Sequence, residues 1–479
     1  MALFTACSDG YQYSLPGNLV AEKSFIAKFA TLTSDDGPAL DPQHVAIWGG
    51  VYSGGYIAAL LVGGYPADYF GRRFNIALLT LFMVAACLVE MFAKDWQTWT
   101  AAKLFNGFSV GLCQLTLTTY VSELAPVQLR GGLLIVYSFW FAMGQFTNSI
   151  GVYVIQSMDT RPELYKRLVY TEWLFSGLVF MTLLVLPESP PWLLRKGKRE
   201  AAAKALKRLN GGIPGYDIER ELQVMQLDLE GIAVAGEAEA KKTSYFDLFR
   251  GTDLRRTLIS FSILGWQQTI GIPVVFGYTA LFFKEAGLAN PFLGTIIINI
   301  ILIGTVFTSS FVVEKTGRRP MLLLGGTIMV ACLTAIGGLG FASGTSVSAA
   351  IVALMCIWVL AYASSAGPMG YLFLGESSTA ALRARTAGFA AAMSGVFGLI
   401  FNYTTPLMLL SDGDGAGWGI KTAFLFAGLG FIGLVLIYFF VPEHKGRSYA
   451  ELDELYNRRV PARKFATTKT YLQEQAQGV

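Results

Sequence analysis

The chain reads as an all-α polytopic membrane protein with twelve transmembrane helices in two related six-helix halves, and three observations predict it. Of its 479 residues, 53% are hydrophobic and 15% charged, and mean hydropathy is +0.48, outside the usual range of water-soluble domains. Apolar windows long enough to cross a bilayer, about 20 residues each, recur along almost the whole length. Charged and Gly/Pro motifs of the first half return in the same order in the second.

Taken in order, spans 1 to 6 fall near 2–20, 45–66, 74–93, 98–120, 131–156 and 169–187. Spans 7 to 12 fall near 257–283, 292–313, 320–342, 348–375, 386–410 and 418–441. A soluble core has no room for so many apolar runs at similar spacing. The first run starts close to Met1 but lacks a basic lead and a small-residue cleavage site, so it is read as a retained first helix rather than a signal peptide. A trimmed N-terminal extension is compatible with this.

The longest polar stretch, 188–256, separates spans 6 and 7. Within it, Arg199 to Asn210 is rich in strong helix formers, and Ile218 to Leu229 carries apolar residues three and four apart, which predicts short amphipathic helices. The expected organisation is a half at 1–187, a linker at 188–256, a second half at 257–441 and a tail at 442–479.

Most of the 37 Lys and Arg residues lie in the loops on the side shared by both termini, which predicts that both termini are cytoplasmic. The net charge of +4 follows from that asymmetry and gives no reason to expect nucleic acid. Cys7, Cys87, Cys113, Cys332 and Cys356 all fall inside spans without CxxC spacing and read as small packing residues. His44 and His444 sit at loop edges, and the sequon at Asn402 lies within span 11. There is no P-loop, metal-ligand spacing or nucleophile-and-base pair. The chain is expected to be no enzyme and to need no cofactor.

Three markers repeat. Gly71-Arg72-Arg73 after span 2 returns as Gly317-Arg318-Arg319 after span 8. Glu123 and Arg130 return as Glu376 and Arg383 at the same spacing, and Pro187-Glu188 returns as Pro442-Glu443. Parallel six-helix repeats are the architecture of a large transporter class whose solute site lies near the midplane between repeats. Arg forks pair bidentately with carboxylates and also reach helix carbonyls. The set Asp68, Arg72, Arg73, Glu123, Arg130, Glu188, Glu314, Arg318, Arg319, Glu376, Arg383 and Glu443 is therefore expected to form a breakable cytoplasmic latch.

The run Gly64-Tyr65-Pro66-Ala67-Asp68-Tyr69-Phe70-Gly71-Arg72-Arg73 resembles the signature between the second and third helices of the major facilitator superfamily. Pro187-Glu188-Ser189-Pro190-Pro191-Trp192-Leu193 and Pro442-Glu443-His444-Lys445-Gly446-Arg447-Ser448 narrow the resemblance to its sugar porter family. The tail from Tyr449 to Leu455, with Val460 to Phe465 beyond it, is similar to the fungal branch, which includes hexose and α-glucoside permeases.

The resemblance implies a sugar site. Gln267 and Gln268 match the family's paired glutamines, and Tyr278 matches an aromatic of its outer gate. Two amides in an apolar span also need partners on physical grounds alone. Several positions depart from the family pattern. Ser138 stands for a sugar-binding glutamine, with Gln145 further along the same span. Pro273 replaces an asparagine, Tyr371 a tryptophan, and Ser394-Gly395 an Asn-Trp pair, leaving Asn402 as the nearest amide. Small residues for large ones imply a cavity suited to a disaccharide or glycoside.

Asp9 lies mid-span, where a carboxylate needs a partner or a function. Proton-coupled sugar porters are similar in pairing an aspartate of the first span with a cation at the position of Lys103. Burial disfavours the charged carboxylate and a nearby cation favours it, so small movements between Asp9 and Lys103 would load or release a proton.

The sequence thus predicts a proton-coupled importer of a neutral sugar or glycoside, monomeric, in the plasma membrane, with sugar, protons and lipid as its partners. The alternatives are a transporter or exporter of a polyol, a quinate-like acid or a fungal metabolite on the same fold, and a non-transporting sugar sensor.

Overall fold

The computed structural model describes residues 5–34, 37–124, 130–158, 164–212, 216–227, 245–342, 344–379, 382–447 and 449–471. The chain forms two compact units, one of Met1–Leu40 with Ile47–Lys242 and the other of Asp41–Ala46 with Thr243–Val479. Among the described residues, 8 helical stretches are long and apolar enough to cross a membrane.

In the first unit, α1 (Ala6–Ala21) ends at Glu22, whose extended backbone breaks the helix and whose carboxylate caps α2 (Lys23–Phe29) by accepting from the Phe25 N–H at 2.7 Å. A short hairpin follows, β1 (Leu32–Ser34) paired antiparallel with β2 (Gly37–Ala39), Thr33 opposite Pro38. The long helices are α3 (Pro42–Val62), continued by α4 (Gly64–Phe70), then α5 (Arg72–Phe92), α6 (Trp96–Leu124), α7 (Arg130–Gln156) and α8 (Tyr165–Val185).

Glycines let these helices meet backbone to backbone, as small residues do in membrane bundles. A Cβ on Gly10 of α1 would lie 1.8 Å from the Phe141 carbonyl oxygen of α7, and one on Gly144 of α7 would lie 2.0 Å from that of Cys7. Gly107 and Gly111 of α6 interlock in the same way with Tyr52 and Tyr56 of α3.

Three short helices, α9 (Pro190–Arg195), α10 (Arg199–Asn210) and α11 (218–227), share a small core of Trp192, Leu193, Ala202, Ala205, Leu206 and Leu222 within the first unit. The second unit is already helical from Gly251, because Arg255 and Arg256 extend the span into the interfacial charges.

In the second unit, span 7 is not one helix. It runs as α12 (Gly251–Thr269), an interruption, and α13 (Thr279–Glu285). Gly271 at φ 111° and Pro273 break the repeat, and the chain passes through a five-residue π-helical turn, Pro273–Gly277. Next come α14 (Pro291–Thr316), α15 (Arg318–Leu339) and α16 (Thr345–Ser364). Span 10 is broken as well, at Ser365 (φ −125°, ψ −86°), where α17 (Ala366–Ser377) begins. Pro368 has no N–H for the Ser364 carbonyl, and its ring crowds that oxygen. The unit closes with α18 (Arg383–Leu409), α19 (Thr422–Phe440) and α20 (Tyr449–Asn457).

Trp266 keys α12 into its neighbours. Its indole N–H donates to the Gly430 carbonyl at 2.9 Å, and Cβ atoms on Gly433 of α19 and Gly326 of α15 would stand 2.0 and 2.8 Å from its ring.

Candidate functional site

Three polar groupings stand out against the apolar helices. The first is buried inside the first unit. The Lys103 ammonium donates to Glu90 Oε1 at 2.7 Å, with Lys103 1% and Glu90 0% exposed. Asn106, one turn along α6, donates to the same oxygen at 2.7 Å. The Glu172 carboxyl of α8 is buried close to that of Glu90. It also accepts from Gln12 of α1 at 2.6 Å and from the Cys87 thiol at 3.4 Å.

The expected pairing of Asp9 with Lys103 is therefore corrected. The two residues sit on neighbouring helices, but the rotation of α6 turns Lys103 towards α5, where Glu90 takes it. Asp9 is also buried and instead accepts from the Tyr137 hydroxyl of α7 at 2.7 Å, with Gln114 beside it. Cys87, read from sequence as a packing residue, is a hydrogen-bond donor as well. Glu90 and Glu172 carry the same sequence signal that singles out Asp9, an ionisable residue inside an apolar window. The Lys103 ammonium also lies 4.6 Å from the Trp99 ring centre, a cation–π contact. Trp99 in turn packs against Phe25 and Tyr165 beneath α2.

The second grouping occurs once in each unit. In the first, the Arg72 guanidinium forms a fork on Glu123 at 2.7 and 3.1 Å and also reaches Asp68 at 3.2 Å. Glu123 accepts further from Ser189 Oγ at 2.6 Å and Arg195 at 3.1 Å. Glu188 accepts from the backbone N–H groups of Arg72 and Arg73, at the start of α5, at 2.8 and 3.1 Å. In the second unit Glu443 accepts from the backbone N–H groups of Arg318 and Arg319, at the start of α15, both at 3.0 Å.

The repeated acid is thus an anion on a helix N-terminus, where the dipole and the unpaired N–H groups favour it. The repeated glycine is explained too. Gly71 and Gly317 adopt φ of 106° and 99°, and a Cβ on either would strike the glutamate at 2.4 or 2.9 Å. Arg73 and Arg319 donate to the ends of α8 and α19, at the Leu183 and Tyr438 carbonyls. The side chains of Arg130, Glu314, Tyr371, Glu376 and Arg383 lie outside the described residues.

The third grouping lies in the second unit. The buried Gln267 amide donates to the Ala366 and Gly367 carbonyls, the latter at 3.3 Å. Gln268, half-buried on α12, faces α18, its Oε1 3.8 Å from where a Cβ on Gly398 would sit. The Tyr278 hydroxyl donates to the Asn402 carbonyl at 3.0 Å, and Asn402 Oδ1 lies 3.6 Å from a Cβ on Gly277. Ser394 donates to the Leu264 carbonyl at 3.4 Å. Both glutamines, Tyr278 and Asn402 are thereby gathered between α12, the π turn and α18. In the first unit Ser138 is exposed on α7 and Gln145 is buried on the same helix.

The profile of a family described as "Sugar (and other) transporter" matches residues 1–456. A general alpha-glucoside permease of Saccharomyces cerevisiae is 28% identical over 472 residues, covering 97% of this chain and 75% of its own. A high-affinity fructose transporter of Schizosaccharomyces pombe is 27% identical over 419 residues, covering 85% and 76%. The inward-open structure of the Escherichia coli xylose transporter XylE superposes with a TM-score of 0.76 at 21% identity, covering 95% of this chain and 98% of that one. Another structure of XylE describes it as a proton:xylose symporter of the major facilitator superfamily.

Proposed function

Because this chain belongs to the sugar (and other) transporter family and has the twelve-helix major facilitator fold, we propose that it moves a neutral sugar across a membrane with a proton, by alternating access. The observation that carries the coupling is the buried set Lys103, Glu90 and Glu172. One ammonium compensates one carboxylate, and a second buried carboxylate without a counter-charge is costly. Glu90 Oε2 and Glu172 Oε1 are both buried without a hydrogen-bond donor among the described residues. A proton between them satisfies both. Asp9, under the Tyr137 hydroxyl, is a second proton carrier on the same helix, α1, as Gln12. Movement of α1 then alters both sites at once.

On the sugar side, Gln267, Gln268, Tyr278, Tyr371 and Asn402 are the partners we propose for the solute's hydroxyls. An α-glucoside disaccharide is the substrate class we favour, because small residues stand at Ser394, Gly395 and Gly398 and a yeast relative carries that name. The Arg–acid groups act as clamps at the cytoplasmic ends of the helices. Loop charge supports a cytoplasmic position for both termini and for α9 to α11. The plasma membrane is the proposed location, with the monomer as the working unit.

The test is thermal stabilisation of purified protein with maltose, trehalose, glucose, fructose, xylose and quinate. Binding to the folded state raises the melting temperature in a concentration-dependent way. The proposal expects a shift with maltose that Gln268→Ala loses. A shift with quinate alone would replace the sugar by an acid.

A further inference from the structure

We propose that Gln267 is a conformational tie as well as a solute ligand: its amide fastens the first turn of α17 to α12, and a solute oxygen that takes the amide releases α17. The release half of this rests on the sugar-transport reading; the tie itself does not.

A carboxamide NH2 has two hydrogens to donate. In Gln267 both go to α17, to the carbonyls of Ala366 and Gly367. A sugar oxygen gains one of them only by displacing a backbone carbonyl. The carbonyls in question belong to the turn that follows the break at Ser365. There α17 lacks a continuous helical backbone to hold it to α16.

The surroundings fix α12 and α16 on either side of the tie. α12 is locked by Trp266, the residue beside Gln267, wedged against Gly433 and Gly326 and bonded to Gly430. α16 is braced by Trp358 and Tyr362, which stack at 5.3 Å and hold Phe276 of the π turn against them at 5.9 and 5.5 Å. The Gln267 amide reaches α17 because position 370 is glycine. A Cβ there would stand 2.6 Å from Gln267 Nε2 and 2.8 Å from Leu264 Cδ2. The sequence therefore offers two independent ways to cut the tie. Gln267→Met keeps the length and removes the donors, and Gly370→Ala keeps the donors and removes the space.

The experiment is hydrogen–deuterium exchange of the full chain, followed on peptides covering 366–377, without solute and with saturating maltose. Without solute, both variants are expected to exchange about five- to tenfold faster than wild type there, as loss of hydrogen bonds to a local opening predicts. Alanine is the better helix former, so faster exchange in Gly370→Ala cannot come from helix propensity. Gln268→Ala should exchange like wild type without solute. Maltose should bring the wild type up to the variants' rate and leave the variants where they are.

Unchanged solute-free exchange in both variants would overturn the tie. Fast variants beside a wild type that stays slow, under maltose shown by its melting shift to be bound, would overturn the release. A maltose that does not shift the melt counts against the sugar reading alone, since the solute-free comparison decides the tie without it. Peptides from α14 serve as the control: if they also exchange faster, the substitution has loosened the unit, and the other variant decides.

Discussion

Lys103 and Glu90 are each almost wholly buried, 2.7 Å apart, and the energetics of such a pair are lopsided. Removing one partner strands a charge and costs about 3–5 kcal/mol, whereas replacing both with apolar side chains of similar size is close to neutral for the fold. We therefore expect Lys103→Met to lower the melting temperature sharply and Lys103→Met with Glu90→Leu to recover most of the loss. A double variant as unstable as the single one would show that Lys103 braces something other than Glu90. The residue scale is also where the sequence was least legible. Residue type and depth picked out Asp9 and Lys103, but which of two neighbouring helices a side chain faces depends on rotational phase. An apolar window on every side leaves that phase unmarked. The cost of burying Glu90 and Glu172 was visible in the sequence, yet their adjacency came only from the packing of α5 against α8.

In the first unit the helices are held by close approach of their backbones. The α1–α7 contact rests on Gly10 and Gly144, each facing a backbone carbonyl that cannot move aside. Gly10→Ala should therefore abolish accumulation of folded protein, while Gly54→Ala, with nothing within 4 Å of the added Cβ, should fold like wild type. Size-exclusion profiles of the two variants after solubilisation check this; equal monodisperse peaks would contradict the glycine-seam account. At this scale hydropathy placed the spans well, because it measures what a bilayer selects. It did not show that spans 7 and 10 are broken. The signals were present as Gly271, Pro273 and Pro368, but an apolar window counts a proline or glycine as one more tolerated residue. The repeated Gly-Arg-Arg and Pro-Glu markers were legible as a repeat. Their common geometry was not, since the acid binds backbone N–H groups that sequence cannot display.

For the whole molecule, the two units repeat one device, a glutamate on the first turn of the helix that follows a Gly-Arg-Arg corner, while they diverge elsewhere. Among the described residues the buried charges Asp9, Glu90, Lys103 and Glu172 lie in the first unit, and the paired glutamines, with the broken spans 7 and 10, lie in the second. That division suits a symporter in which one half reads the proton and the other the solute. Flux in proteoliposomes tests the central claim most directly. Under an inwardly acidic-to-neutral proton gradient, with the outside acidic, the wild type should accumulate labelled maltose above equilibrium. Glu172→Gln and Asp9→Asn should lose accumulation but keep exchange of labelled for unlabelled maltose at equal pH. Accumulation by both variants as strong as wild type, or maltose entry in the wild type indifferent to the gradient, would contradict proton-coupled transport through these carboxylates.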